Sequence, residues 1–251
     1  MTIQSKDNEK LKLVRKLADR KHREREGLFV TEGEDLLAAG RVAGLEPVAL
    51  LTREGEGLGG DEVDAALLDA TSTLGSGTRV IAMWPLPDHE RPGTTPMGVA
   101  DGRLPDEEAL CVYLHGVGDP GNMGSILRSA GALVDAWVAV GPECADPYGP
   151  KAIRASMGAI FNVPVRRCQF EATPSPRISL VAHGGAPEPA MDARTICLGS
   201  ERDGLPQAIV DSTDASWTIP MRSGAVESLG VAAAAAIALS RIGSRVGGES
   251  P

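Results

Sequence analysis

At 251 residues, with 42% hydrophobic but only 3% aromatic content, the chain can bury one large or two modest cores built from Ala, Val, Leu and Ile. Its 34 acidic and 25 basic residues give a net charge of −9, which excludes a uniformly cationic surface and weakens long-range steering toward phosphate. No apolar run reaches the roughly 18 residues of a membrane span, and the polar opening residues lack the h-region of a secretory signal, so a cytoplasmic protein is expected.

Residues 8 to 26 read as a single basic amphipathic helix, with Leu11, Val14, Leu17 and Ala18 at helical spacing. Over residues 6 to 25, Lys6, Lys10, Lys12, Arg15, Lys16, Arg20, Lys21, Arg23 and Arg25 stand against Asp7, Glu9, Asp19 and Glu24. This patch can meet RNA locally, or can be a solvated, salt-bridged helix face. A strand follows at residues 27–30, a helix at 34–43, a strand at 47–51, a helix at 61–70 and a strand at 80–83, the alternation of a small α/β domain. Residues 85 to 105 are dense in Pro and Gly and mark the domain junction, with Met97 to Ala100 as a candidate strand inside it. The expected division is a first domain over 1–95, a linker over 96–108 and a second domain over 109–251.

The second domain opens with Leu110-Cys111-Val112-Tyr113-Leu114, a continuous apolar run suited to a buried parallel strand. A Gly-rich turn over 116–121, a helix over 123–133 and a strand over 136–140 follow. Further strands are expected at 161–165, 179–182, 196–198 and 217–219, and a final Ala-rich helix at 227–242. The cysteines, Cys111, Cys144, Cys168 and Cys197, form no CxxC pair and read as buried thiols of a reducing compartment. The histidines, His22, His89, His115 and His183, show no ligand spacing, so no metal is expected.

Three segments carry possible chemistry. In Gly121-Asn122-Met123-Gly124-Ser125-Ile126-Leu127-Arg128, a turn opens a helix and can offer backbone N–H groups to a polar ligand; equally, Asn122 can be a cap and Arg128 a surface ion pair. In Leu198-Gly199-Ser200-Glu201-Arg202-Asp203-Gly204-Leu205-Pro206, a carboxylate follows the carboxyl end of a strand, where open α/β sheets collect ligands; an exposed strand–turn–helix junction would look the same. In the third, Ile219-Pro220-Met221 leaves a strand and Glu227-Ser228-Leu229-Gly230 precedes small residues that let another backbone approach, although alanine richness also reflects plain helix propensity.

In this order the three segments resemble the SpoU (TrmH-like) branch of the SPOUT methyltransferases, over residues 108 to 245. The basic start followed by Leu28-Phe29-Val30-Thr31-Glu32-Gly33 is similar to the L30e-type RNA-binding domain that often precedes that catalytic domain. The resemblance implies an α/β protein: a small α/β L30e-like domain, then a parallel-sheet domain whose C-terminal chain forms a deep trefoil knot. It implies S-adenosylmethionine as cofactor, a homodimer with the site at its interface, and 2′-O-methylation of structured RNA, ribosomal before transfer RNA. Cofactor contacts would come from Gly199, Ser200, Gly204, Ile219, Met221 and Leu229, and RNA contacts from Lys12, Arg15, Lys16, Arg20, Lys21 and Arg23. Arg128 would activate the hydroxyl, with Asn122, Glu201 and Ser228 orienting it and the ribose. One position departs from the pattern: Gly230 stands where the family has Asn, removing an amide from the catalytic pocket. A catalytically weakened RNA or cofactor binder is therefore one alternative, and the acidic charge raises a small-molecule methyltransferase as another.

Overall fold

The computed structural model describes residues 2–73, 77–87, 108–187, 193–222 and 228–246. The expected linker, except Glu108, and the candidate strand at 97–100 lie outside them.

The N-terminal part contains α1 (Glu9–Lys16), α2 (Arg20–Glu26), β1 (Leu28–Glu32), α3 (Glu34–Val42), β2 (Ala49–Arg53), β3 (Asp61–Val63), α4 (Ala65–Thr71) and β4 (Val80–Pro85). The single helix expected over 8–26 is two, because Asp19 takes an extended conformation and caps α2 by accepting from the Lys21 backbone N–H. Likewise the segment read as a helix over 61–70 begins as strand β3; Asp64 then caps α4 by accepting from the Leu67 N–H. The sheet order is β1-β4-β2-β3, with β1 and β2 antiparallel to β4 and β3 parallel to β2. One sheet face buries Leu51, Ile81 and Met83 against Leu11, Val14, Leu17 and Leu68.

The other face does not end at a domain boundary. Trp84, Phe29, Leu36 and Leu37 join the core that holds Tyr148, Ile153 and Ile160 of the second part. The Phe29 ring lies 5.3 Å from Tyr148, and Trp84 packs edge-on 4.9 Å from Phe161. Arg23, expected on an RNA-facing surface, is only 3% exposed. Its guanidinium donates to the Leu17 and Ala18 carbonyls and, at 2.5 Å, to Asp146 of the second part. Asp146 also accepts from Arg167 at 3.3 Å and from the Tyr148 N–H. Arg23 therefore joins the two parts and leaves the set of cations available to RNA.

The second part contains β5 (Leu110–Leu114), α5 (Pro120–Leu133), β6 (Ala136–Val140), α6 (Pro150–Ser156), β7 (Val165–Arg167), β8 (Arg177–Leu180), β9 (Thr195–Leu198), α7 (Gln207–Asp211), β10 (Ala215–Trp217) and α8 (Val231–Val246). The strands form one wholly parallel sheet in the order β10-β8-β9-β5-β6-β7. Every residue of β5, β6 and β9 is buried, as strands covered on both faces must be. The strand expected at 161–165 is a 3-10 turn at Ala159–Phe161 followed by β7. Helix α6 went unread in the sequence. It packs on α5 where Gly124 leaves no room for a side chain against the Ala152 carbonyl and Ala155.

Candidate functional site

The expected free N–H groups of the first motif are largely occupied. Helix α5 begins at Pro120, a residue suited to a first helical position, and Asp119 caps it by accepting from the Asn122 N–H at 2.8 Å. Asn122 thus lies in the first turn, and its side-chain amide donates to Glu201 Oε1 at 2.6 Å. Two motifs separated by 79 positions meet through that bond.

Glu201 sits at the tip of a tight hairpin that leaves β9. The Ser200 N–H donates to the Gly204 carbonyl at 3.0 Å, the Gly204 N–H returns to the Ser200 carbonyl at 3.1 Å, and the Asp203 N–H donates to Ser200 Oγ at 3.0 Å. A side chain at position 199 would run into the backbone of Gly204 and Leu205, and Gly204 adopts φ +68°. Glycine is required at the first for space and favoured at the second for conformation.

On one side of this hairpin, at the carboxyl ends of β8, β9 and β10, opens a cleft of about 530 Å³, a size typical of small-ligand sites. Gly199, Ser200, Gly204, Ile219, Met221, Ser228 and Leu229, all singled out in the sequence, line it together with Glu201. Leu180, Leu198, Val231 and Ala234 supply apolar wall. The segment from Leu180 to Gly184 also lines the cleft and was missed in the sequence. Its signal was its place just after a strand in a parallel sheet, the same rule that drew attention to Glu201. Ser228 and Gly230 precede α8 rather than lying inside a helix that starts at 227, and nothing lies within 4 Å of where a Gly230 side chain would begin.

On the hairpin's other side a second cleft, of about 590 Å³, is lined by His115, Asp119, Asn122, Glu143 and the hairpin tip. The His115 Nδ1 lies 3.3 Å from the Tyr113 hydroxyl. Burial holds the Tyr113 phenol well above its ordinary range, so it stays protonated at neutral pH. Arg128 is brought to neither cleft by this chain alone; it is exposed further along α5.

The basic N-terminal residues divide. Lys16 and Lys21 are exposed, and no ion pair engages them among the described residues. Lys12 pairs with Glu9 at 3.2 Å, Arg20 with Glu24 at 2.6 Å, and Arg15 donates to the Lys6 carbonyl and Thr71. All four cysteines are free thiols, Cys111 and Cys197 buried and the others partly so. Among the described residues no cluster of three or more His, Cys, Asp or Glu could hold a metal ion, and no helix is long and apolar enough to cross a membrane.

Residues 109–240, more than half of the chain, match the model of the SpoU rRNA Methylase family. The chain belongs to this family. Within this SpoU chain, residues 8–81 match a second model, the MRM3-like substrate binding domain. Among similar proteins, the Bacillus subtilis 23S rRNA (guanosine(2553)-2'-O)-methyltransferase RlmP is 27% identical over 94% of this chain and 96% of its own length. The Streptomyces viridochromogenes 23S rRNA (uridine(2479)-2'-O)-methyltransferase is 31% identical, over 57% of this chain and 56% of that protein. The crystal structure of the SpoU methyltransferase AviRb from Streptomyces viridochromogenes in complex with AdoMet superposes with a TM-score of 0.77 at 25% identity, covering 96% of this SpoU chain and 99% of that one.

Proposed function

We propose that this chain is an S-adenosylmethionine-dependent methyltransferase that acts on a ribose 2′-hydroxyl of ribosomal RNA in the cytoplasm. The observation that carries the reading is the convergence of three distant segments on one cleft. Gly199, Ser200 and Gly204 meet Ile219 and Met221, and then Ser228 and Leu229, around about 530 Å³ beside the Asn122–Glu201 bond. The fit to the cofactor is chemical as well as spatial. Leu180, Leu198, Ile219, Leu229 and Val231 offer an apolar wall for an adenine ring, and the close backbone approach at Gly199 keeps side-chain bulk out of the hairpin beside it.

When bound, the cofactor supplies a methyl group already activated on a sulfonium. The protein's work is to place the ribose oxygen in line and to manage its proton. Glu201, held by the Asn122 amide, keeps an oxygen to accept from a ribose hydroxyl, and Ser228 adds a second polar contact at the cleft. Arg128 stabilises the developing oxyanion and grips phosphate with its planar fork. Because Arg128 is exposed outside both clefts, the reading includes a homodimer in which α5 and α8 meet a second copy and complete the site. The small residues of α8 and the exposed Leu133 of α5 support that contact. The reading also includes a knotted C-terminal chain, an L30e-like substrate domain over 1–95, a linker over 96–108, a catalytic domain over 109–251 and RNA contacts from Lys12, Arg15, Lys16, Arg20 and Lys21. It extends the activities of RlmP and the Streptomyces enzyme to this chain.

A second reading, a cofactor and RNA binder with weakened turnover, is favoured by Gly230, which leaves open space where the family places an amide. The deciding experiment supplies the purified chain with methyl-labelled cofactor and unmodified ribosomal RNA. Label in alkali-resistant dinucleotides is expected, and Arg128→Ala is expected to abolish it while cofactor affinity stays within a few fold. Tight cofactor binding with no RNA labelled would favour the second reading instead, and equal labelling by Arg128→Ala would remove the arginine's assigned role.

A further inference from the structure

The hairpin tip carries a cation that the three family motifs leave without a role. Arg202 lines both clefts. Among the described residues lining either cleft it is the one Lys or Arg; its charged or titratable companions are His115, Asp119, Glu143, Glu201 and Asp203, with His183 at the far wall. Both adjoining residues are engaged from below, Glu201 by the Asn122 amide and Asp203 through its backbone N–H to Ser200 Oγ. The hairpin base is closed by the reciprocal Ser200–Gly204 pair. The Arg202 side chain is exposed and no hydrogen bond or ion pair engages it among the described residues.

We propose that Arg202 binds a phosphodiester of the RNA at the ridge between the two clefts and so sets which ribose faces the methyl-transfer cleft. The inference rests on the methyltransferase reading above and adds to it a substrate contact within the same chain. A polyanion entering between these clefts meets carboxylates at Asp119, Glu143 and Asp203, which repel it at every point but one. At that point a guanidinium can hold two phosphate oxygens in a bidentate fork. The fixed hairpin makes the contact a registration mark, because its base is closed at Ser200 and Gly204 and its neighbour is tied to α5. A flexible loop could attract the backbone equally well, yet could not choose a nucleotide.

The test compares wild type with Arg202→Gln and Arg202→Lys, using an unmodified 23S ribosomal RNA transcript and a demethylated cofactor product to hold the complex. Filter binding across a salt series and calorimetry of the cofactor give two separate readouts. Arg202→Gln is expected to weaken RNA binding about tenfold and to flatten the dependence of log affinity on log salt by about one ion. Arg202→Lys should recover the salt slope but only part of the affinity. Cofactor affinity should be unchanged in both. RNA affinity and slope unchanged in Arg202→Gln, with wild type binding and methylating normally, would overturn this proposal alone. A loss confined to cofactor affinity would overturn it by assigning Arg202 to the cofactor's carboxylate. Failure of wild type to bind the transcript at all would remove both this proposal and the methyltransferase reading.

Discussion

Asn122 and Glu201 were named from separate motifs, and the structure joins them in one hydrogen bond at 2.6 Å. Their residue types alone did not mark them, since a helix cap and an exposed turn carboxylate read the same; the order of the three motifs and the family it resembles did. Arg23 was misread from the same kind of local pattern: its partner, Asp146, lies 123 positions away, and no spacing rule within a helix can announce it. The cysteines were read as buried thiols, and their environment has a consequence in pH. Desolvation pushes the Cys197 thiol up to about 12, and Cys111 and Tyr113 are also raised, chiefly by burial. An unfolded thiol ionises near about 8.5. The folded state therefore binds more protons than the unfolded state above that pH, and stability falls as pH rises toward 12. The thermal midpoint is expected to be flat from neutral pH to about 8.5 and to decline above it, with a shallower decline in Cys197→Ala. Parallel pH curves for the two proteins would exclude the thiol as a contributor.

At the scale of elements, β5 and β6 were readable to the residue. Each is five consecutive apolar residues, fully buried, and a helix of that length would have shown a polar face. The break between α1 and α2 was hidden because Leu17 continues the apolar spacing of Leu11 and Val14 and is itself buried. Asp19 acts as a cap, a role that composition does not distinguish from an exposed helical acid. Strand β3 has only Asp61, Glu62 and Val63, too short a run to show period-two alternation. The hairpin after β9 was recognised by its residues but not as the wall between two clefts. Its tightness gives a direct test in Gly199→Ala. The added methyl would meet the backbone of Gly204 and Leu205, and relieving such overpacking costs about 1–3 kcal/mol. Calorimetry should show cofactor affinity reduced about tenfold, with the thermal midpoint lowered by only a few degrees. Unchanged affinity would mean that the hairpin gives way without altering the cleft.

For the whole molecule, the sequence suggested two domains with a Pro- and Gly-rich junction, and the described residues show those parts sharing one hydrophobic core. Aromatic contacts of Phe29 and Trp84 with Tyr148 and Phe161 and the buried Arg23–Asp146 pair fasten them. Removing one member of a buried pair leaves the other uncompensated, at a cost of about 3 kcal/mol. Arg23→Met should therefore lower the urea midpoint of unfolding by an amount matching that cost, although Arg167 still faces Asp146. A shift below about 0.5 kcal/mol would show the aromatic contacts to be sufficient without the ion pair. The strand order has a further consequence, for the sequence of events during synthesis. The small sheet is complete once Pro85 has been made, whereas β5 waits for β9, which begins at Thr195, to cover its second edge. The cleft needs residues as late as Ala234. A nascent chain halted near residue 190 would already hold the complete small sheet and expose Lys16 and Lys21, yet the cleft beside the Ser200–Gly204 hairpin would still be unbuilt; if those lysines hold RNA as proposed, attachment would come before any competence to modify it.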